Sequence, residues 1–198
     1  MDRSDNTKTM KAAIALLSDY HVQNVARKMV YDIHQRAPIQ FFGSLLPAHV
    51  SLKQPFTFES LDVLETWFDS FSKQVSPFRV ELDHVYYDQW DDYAIVGLGV
   101  RETTTIRGLH NQINRELSRI VTNPSAPHDS DAYRFHLTIE LRKVGVINPF
   151  KEFYESVADK SLELSFTAEH LALFIYAGGT IEPGSFICYK ALSLTAQS

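Results

Sequence analysis

The fold of this chain is decided by two short segments, HVSLK at residues 49–53 and HLTIE at residues 136–140. Each begins with a histidine, followed two residues later by a hydroxyl residue, Ser51 or Thr138, and each alternates polar with apolar residues. Successive side chains of a β-strand point to opposite faces of the sheet. The alternation therefore predicts two strands that each present an imidazole and a hydroxyl on one face and apolar side chains on the other.

The alternation includes a third polar residue in each segment, so we expect Lys53 to share the face of His49 and Glu140 to share the face of His136. A third His-x-Ser triplet, at residues 128–130, lies among the prolines, serines and aspartates that are typical of a loop. Because that triplet lacks the apolar alternation, strand context separates the two functional candidates from it.

The composition is that of an ordinary globular protein, with 44% hydrophobic and 22% charged residues among 198. A net charge of −5 argues against a protein that coats nucleic acid, but not against a local basic pocket for a nucleotide or an RNA end. The single cysteine, Cys188, excludes an internal disulfide and a cysteine-based zinc site. We see neither a secretory signal nor an apolar stretch long enough to span a membrane, and we expect a cytoplasmic protein without a membrane partner.

Apolar periodicity predicts strands and helices in alternation along the chain. Besides the two motif strands, the first of which we expect Pro55 to close, strands are predicted over 11–17, 78–87, 93–101, 163–176 and 186–194. Helices are predicted after Asp19, from Ser60, over 103–121 and after Asn148.

Short connections between these strands favour antiparallel pairing, so the predicted fold class is α+β. We expect residues 1–10 to be a flexible N-terminus and residues 11–198 to form a single domain of two intertwined lobes, because each half follows a similar plan of strand, helix and histidine-bearing strand.

Two imidazoles that face one cleft could hydrolyse a cyclic phosphodiester. One must take a proton from water and the other must give a proton to the leaving oxygen, and a histidine pKa near 6.5 permits both at neutral pH. Ser51 and Thr138 would donate hydrogen bonds to the phosphate, and Lys53 would add a positive charge. We expect no cofactor, and the sequence offers no good set of ligands for a metal.

Aromatic residues could stack a nucleobase, because their rings hold bases with little sequence preference. The candidates are Phe42, Tyr86, Trp90 and Tyr176. The histidines outside the two motifs are interpreted as surface or helix-face residues; they are His21, His34, His84, His110, His128 and His170.

The two segments have the form His-x-Ser/Thr-apolar and resemble the paired motifs of the 2H phosphoesterase superfamily, which includes the bacterial RNA 2′,3′-cyclic phosphodiesterases, also called 2′-5′ RNA ligases. The C-terminal pattern EHLAL at residues 169–173, followed by YKAL at residues 189–192, is similar to the last two strands of that family. The resemblance implies a bilobal fold of two mostly antiparallel sheets with outer helices, pseudo-two-fold symmetry and a central cleft.

The same resemblance implies that His49 and His136 are the catalytic imidazoles and that Ser51 and Thr138 hold the scissile phosphate. The chain departs from the family in one position, since many members of the RNA phosphodiesterase branch have an arginine where this chain has Leu141.

The sequence thus predicts a monomeric, metal-independent phosphoesterase that acts on a 2′,3′-cyclic phosphate, or a related phosphodiester, of a nucleotide or RNA end. One alternative is a nucleotide- or RNA-end-binding protein with little catalysis, although a binding protein does not need both imidazoles. Another is a metal-dependent hydrolase, for which the ligand spacing is missing. The sequence leaves open which histidine is the base. It also leaves open whether the substrate is a mononucleotide, a tRNA fragment, an ADP-ribose cyclic phosphate or a 2′-5′ oligonucleotide.

Overall fold

The computed structural model describes residues 10–36, 46–91, 93–122, 129, 131–143, 148–177 and 185–195. Its strands are β1 (Met10–Leu17), β2 (His49–Phe58), β3 (Phe78–Trp90), β4 (Tyr93–Val100), β5 (His136–Lys143), β6 (Leu164–Ala168), β7 (His170–Ala177) and β8 (Ile187–Ser193). Its helices are α1 (Tyr20–Arg36), α2 (Leu61–Ser72), α3 (Thr104–Leu117) and α4 (Pro149–Val157). Within these ranges, no helix is long and apolar enough to cross a membrane.

Each helix begins beside a short polar side chain that caps its first turn. Asp19 accepts a 2.8 Å hydrogen bond from a backbone nitrogen at the start of α1. Ser60, Thr103 and Asn148 accept equivalent bonds in α2, α3 and α4. Such caps satisfy backbone N–H groups that have no partner within the helix. The structure therefore begins all four helices where the sequence predicts them.

The strands form one antiparallel sheet in the order β6-β3-β4-β5-β2-β1-β7-β8. This confirms the predicted α+β class. The two expected sheets are joined edge to edge, because Val50 of β2 pairs with Leu137 of β5 at the centre. The order is symmetric about this pair, since four strands lie on each side and each histidine-bearing strand lies innermost in its half.

The main core lies between one face of the sheet and the four helices. Val50 and Leu137 belong to it and have no exposed surface. Helix α1 follows β1 in the chain but packs on β5 of the other half, whereas α3 follows β4 but packs on β2. The opposite face of the sheet carries a much smaller apolar cluster, formed by Ala13, Ala15, Ala172 and Phe174.

Two predictions about strand limits are wrong. Residues 163–176 form two strands in opposite halves of the sheet, because β6 pairs with β3 and β7 pairs with β1, with the break at Glu169. Pro55 does not close β2, which continues to Phe58. The proline lies where the pairing with β1 is irregular, so its missing N–H interrupts no regular ladder. Of the predicted flexible N-terminus, only Met10 lies within the described residues, and it begins β1.

Candidate functional site

The four motif side chains surround the pair that joins β2 to β5. Because Val50 lies opposite Leu137 in antiparallel strands, one step along each strand places every motif histidine opposite the hydroxyl residue of the other motif. His49 therefore lies opposite Thr138, and His136 lies opposite Ser51. The two imidazoles are diagonal neighbours, and the Cα atoms of such a pair are roughly 7–8 Å apart. The structure thus brings both motifs together on the face of the sheet that the helices do not cover.

Both imidazoles are oriented by the same kind of backbone contact. Nδ1 of His49 lies 2.8 Å from the carbonyl oxygen of Pro47, and Nδ1 of His136 lies 3.0 Å from that of Arg134. A carbonyl oxygen only accepts hydrogen bonds, so Nδ1 carries the proton in each ring and donates it. This leaves Nε2 as the nitrogen that can gain or lose a proton.

The environment of the two histidines favours their neutral forms. Burial lowers the pKa of His49 below its ordinary value of 6.5, the bond to Pro47 acts in the opposite direction, and a positive charge on His136 lowers the pKa further. Burial also lowers the pKa of His136, against the effect of its bond to Arg134. Because protonation of one ring disfavours protonation of the other, the pair favours a single shared charge over two. One protonated and one neutral imidazole is the combination that acid–base catalysis needs.

A β-bulge follows the hydroxyl residue in each motif strand. Leu52 and Ile139 are extra residues that the neighbouring strands do not match. The bulge interrupts the alternation, and Lys53 and Glu140 turn toward the helix-covered side, where they are 0% and 2% exposed. The prediction that these two residues share the faces of His49 and His136 is therefore wrong.

Lys53 forms a buried ion pair instead of joining the motif face. Its Nζ donates to Oδ2 of Asp129, whose side chain is 1% exposed. The other carboxylate oxygen accepts a 3.3 Å hydrogen bond from the backbone nitrogen of Gln54. The positive charge that the sequence assigned to the phosphate is thus neutralised inside the protein.

An aromatic ring flanks each imidazole on the motif face. The Phe174 ring lies 4.6 Å from that of His49, centroid to centroid, and the Tyr86 ring lies 5.4 Å from that of His136 in an edge-to-face arrangement. Of the other predicted stacking residues, Trp90 is 44% exposed at the far end of β3 and Tyr176 lies in β7 of the other half. Phe42 lies outside the described residues.

Two glycines allow large side chains of β3 to extend across β4 toward the motifs. A β-carbon on Gly97 would lie 2.4 Å from Cε1 of Tyr86, and one on Gly99 would lie 2.0 Å from Cε1 of His84. The motif pattern alone did not place His84 on the motif face. The signal is in the hairpin, where bulky residues alternate at 84 and 86 and glycines alternate at the paired positions 97 and 99.

His110 lies on a face of helix α3, as interpreted, but this is the buried face and not the surface, since the residue is only 1% exposed. Its Nδ1 donates to the carbonyl oxygen of Leu52 at 2.7 Å, and its ring stacks on Tyr133 with centroids 4.9 Å apart. It supports the bulge of β2 from the core side. His128 lies outside the described residues. Within the described ranges, no group of three or more histidine, cysteine or acidic side chains is placed to hold a metal ion.

Comparison with known proteins gives a family match over most of the chain. A profile of the family described as "2'-5' RNA ligase superfamily" matches residues 34–180, a range that includes both motifs. No curated protein matches the chain.

Several solved structures share the fold. The protein TT0787 of Thermus thermophilus is 13% identical with a TM-score of 0.62, and the match covers 93% of this chain and 97% of that one. Escherichia coli LigT complexed with 3′-AMP is 14% identical with a TM-score of 0.53, covering 95% and 99%. Usb1 of Kluyveromyces marxianus is 13% identical with a TM-score of 0.55, covering 96% and 99%. At these identities the likeness concerns the fold.

Proposed function

We propose that this protein hydrolyses a 2′,3′-cyclic phosphate or a related phosphodiester at the end of a nucleotide or RNA. The chain belongs to the 2′-5′ RNA ligase superfamily, and this membership confirms the resemblance to 2H phosphoesterases. The observation that carries the proposal is the diagonal arrangement at the centre of the sheet. Two imidazoles whose Nδ1 atoms donate to backbone carbonyl oxygens lie across the pair of β2 and β5, and a hydroxyl residue lies opposite each of them.

In the proposed reaction the phosphate lies between the two motifs. One imidazole accepts a proton from water through Nε2 as the water oxygen bonds to phosphorus. The other imidazole donates its Nε2 proton to the ribose oxygen as the bond between that oxygen and phosphorus breaks. Ser51 and Thr138 donate hydrogen bonds to the non-bridging oxygens, where negative charge increases in the transition state. The products are a ribose hydroxyl and a phosphate monoester.

Two further observations support a nucleotide substrate. Structures with the same fold include E. coli LigT complexed with 3′-AMP and K. marxianus Usb1 with uridine monophosphate. Strand alternation puts Trp90 on the same face of β3 as Tyr86, and Tyr176 on the same face of β7 as Phe174. We assign Trp90 and Tyr176 as candidates for base contacts. We place the activity in the cytoplasm and in a monomer, as the sequence predicts.

Turnover of 2′,3′-cyclic nucleotides by the full chain, in buffer with excess chelator, tests the proposal. We expect turnover by the wild type and a loss of about 10²–10⁴ in kcat for His49→Ala and for His136→Ala, because each removes one of two proton transfers. The double variant should be scarcely slower than either single variant, because the base and the acid act in the same displacement.

His170→Ala is the matched control, since His170 is exposed at the start of β7 and takes no part in the motif pair. It should retain wild-type turnover. Near-wild-type kcat in His136→Ala would disprove the two-histidine mechanism. Binding of cyclic nucleotides without turnover would favour a binding protein, and turnover abolished by chelator would favour a metal-dependent hydrolase.

A further inference from the structure

The Tyr86 side chain extends from β3 across β4 toward the second motif. Tyr86 pairs with Gly97, which in turn pairs with Thr138 of β5. A β-carbon on Gly97 would lie 2.8 Å from both Cζ and the hydroxyl oxygen of Tyr86, so the outer end of the ring occupies the space above this glycine. The rings of Tyr86 and His136 also lie edge to face, with centroids 5.4 Å apart. The hydroxyl is thus carried to the motif face beside one catalytic imidazole.

This hydroxyl is buried and makes no hydrogen bond with any residue in the described part of the chain. An unpaired buried hydroxyl costs free energy, because it has lost its bonds to water without gaining others. Two other partly or fully buried tyrosines behave differently. The Tyr133 hydroxyl donates to the carbonyl oxygen of Ser51 at 3.1 Å, and the Tyr87 hydroxyl accepts a 2.7 Å bond from Asn148.

Packing alone does not explain a hydroxyl at this position. Phe174 makes the equivalent ring contact with His49 in the other half of the sheet, and it carries no polar group. A phenylalanine at position 86 would keep the contact with His136 and remove the unpaired group. A buried donor without a protein partner calls for an explanation, and a phosphate oxygen bound between the two motifs would supply the missing acceptor.

We propose that the Tyr86 hydroxyl donates a hydrogen bond to a non-bridging phosphate oxygen of the substrate, as a third donor beside Ser51 and Thr138. This contact requires a rotation of the Tyr86 side chain when substrate binds, because the hydroxyl oxygen is buried in this structure. This inference rests on the proposed function, and it replaces base stacking as the role of Tyr86. Burial raises the pKa of Tyr86 well above its ordinary value, and electrostatic interactions with Tyr133 and Asp88 raise the pKa by smaller amounts. The hydroxyl therefore keeps its proton throughout the working range and serves as a donor, not as a base.

Tyr86→Phe tests the inference, with Tyr87→Phe as the matched control on the same strand. We expect Tyr86→Phe to lower kcat/KM for a 2′,3′-cyclic nucleotide by roughly 10- to 1,000-fold. The inhibition constant of inorganic phosphate should rise, and the melting temperature should stay constant or increase. One imidazole that must be neutral and one that must be protonated predict a bell-shaped dependence of kcat/KM on pH. Tyr86→Phe should keep the midpoints of that curve, because both imidazoles remain. Tyr87→Phe should retain turnover and lose some stability, since its hydroxyl is hydrogen-bonded.

The outcomes separate this inference from the proposed function. Wild-type turnover combined with unchanged kcat/KM in Tyr86→Phe would overturn the role of Tyr86 and leave the proposed function intact. Absence of wild-type turnover would overturn the proposed function. In that case calorimetry with inorganic phosphate tests the role of Tyr86. Weaker phosphate binding by Tyr86→Phe than by the wild type would support this role. Equal binding by both proteins, or binding by neither, would overturn it.

Discussion

The buried ion pair between Lys53 and Asp129 gives the sharpest test, because the sequence and the structure assign different roles to Lys53. The sequence predicts that Lys53 binds phosphate, whereas the structure pairs it inside the protein with a side chain that is 1% exposed. Lys53→Met keeps most of the aliphatic volume and removes the charge. The carboxylate of Asp129 then remains buried, and within the described part of the chain it keeps the bond from the backbone nitrogen of Gln54. Breaking one partner of such a pair costs about 3–5 kcal/mol. That is a large share of the roughly 5–15 kcal/mol by which folded proteins are stable.

Replacing both partners should have the opposite result. The double variant Lys53→Met/Asp129→Leu removes both buried charges, and apolar replacements of buried pairs are often neutral or stabilising. The double-mutant cycle should therefore give a coupling free energy of at least about 3 kcal/mol between the two residues. Lys151→Met is the control, because that lysine is 61% exposed and its substitution should change stability little.

Urea unfolding followed by tryptophan fluorescence measures these free energies, and inhibition of turnover by inorganic phosphate measures binding at the site. We expect Lys53→Met to shift the unfolding midpoint to much lower urea while the folded variant keeps a near-wild-type inhibition constant. The reasoning would be refuted by the reverse result, in which Lys53→Met unfolds at the wild-type urea concentration and loses its inhibition by phosphate.

Three other predictions concern the protonation of the motif imidazoles and the packing of side chains over β4. Burial lowers the pKa of both motif imidazoles below 6.5. We therefore expect kcat/KM to be highest below pH 6.5 and to decline at higher pH, because the catalytic acid loses its proton. An optimum above about pH 7 would contradict this. Because the pKa of each motif imidazole is lower in the folded protein than in the unfolded chain, the unfolded chain binds these protons at higher pH. The free energy of unfolding should therefore decrease as the pH falls below 6.5. Glutamine at both positions should reduce that loss by up to about 1.4 kcal/mol per pH unit for each imidazole, as measured by urea unfolding at several pH values. Gly97→Ala should cost about 1–3 kcal/mol and lower turnover, since the new methyl group must displace the partly buried Tyr86 ring. Gly99→Ala, whose methyl group meets the exposed imidazole of His84, should unfold near the wild-type urea concentration.

The local sequence determined the parts of this protein that depend on neighbouring residues. Alternation of polar and apolar residues predicted both motif strands and the buried faces of Val50 and Leu137. Capping residues predicted where the helices begin. These features follow from backbone geometry within a few residues, and a single sequence contains that information.

Pairing between distant strands decided the rest. The sequence does not show that residues 163–176 divide between two ends of one sheet, because local periodicity carries no information about partners. It likewise does not show the bulges after Ser51 and Thr138, since a bulge exists only relative to the strand beside it.

Those bulges turned Lys53 and Glu140 away from the predicted site and into the core. The hairpin register laid Tyr86 over Gly97 and left its hydroxyl without a partner in the described structure. The sequence therefore predicted the two imidazoles and two hydroxyls correctly as strand residues. Only the tertiary structure, through the register of non-local strands, decided which further side chains lie beside them.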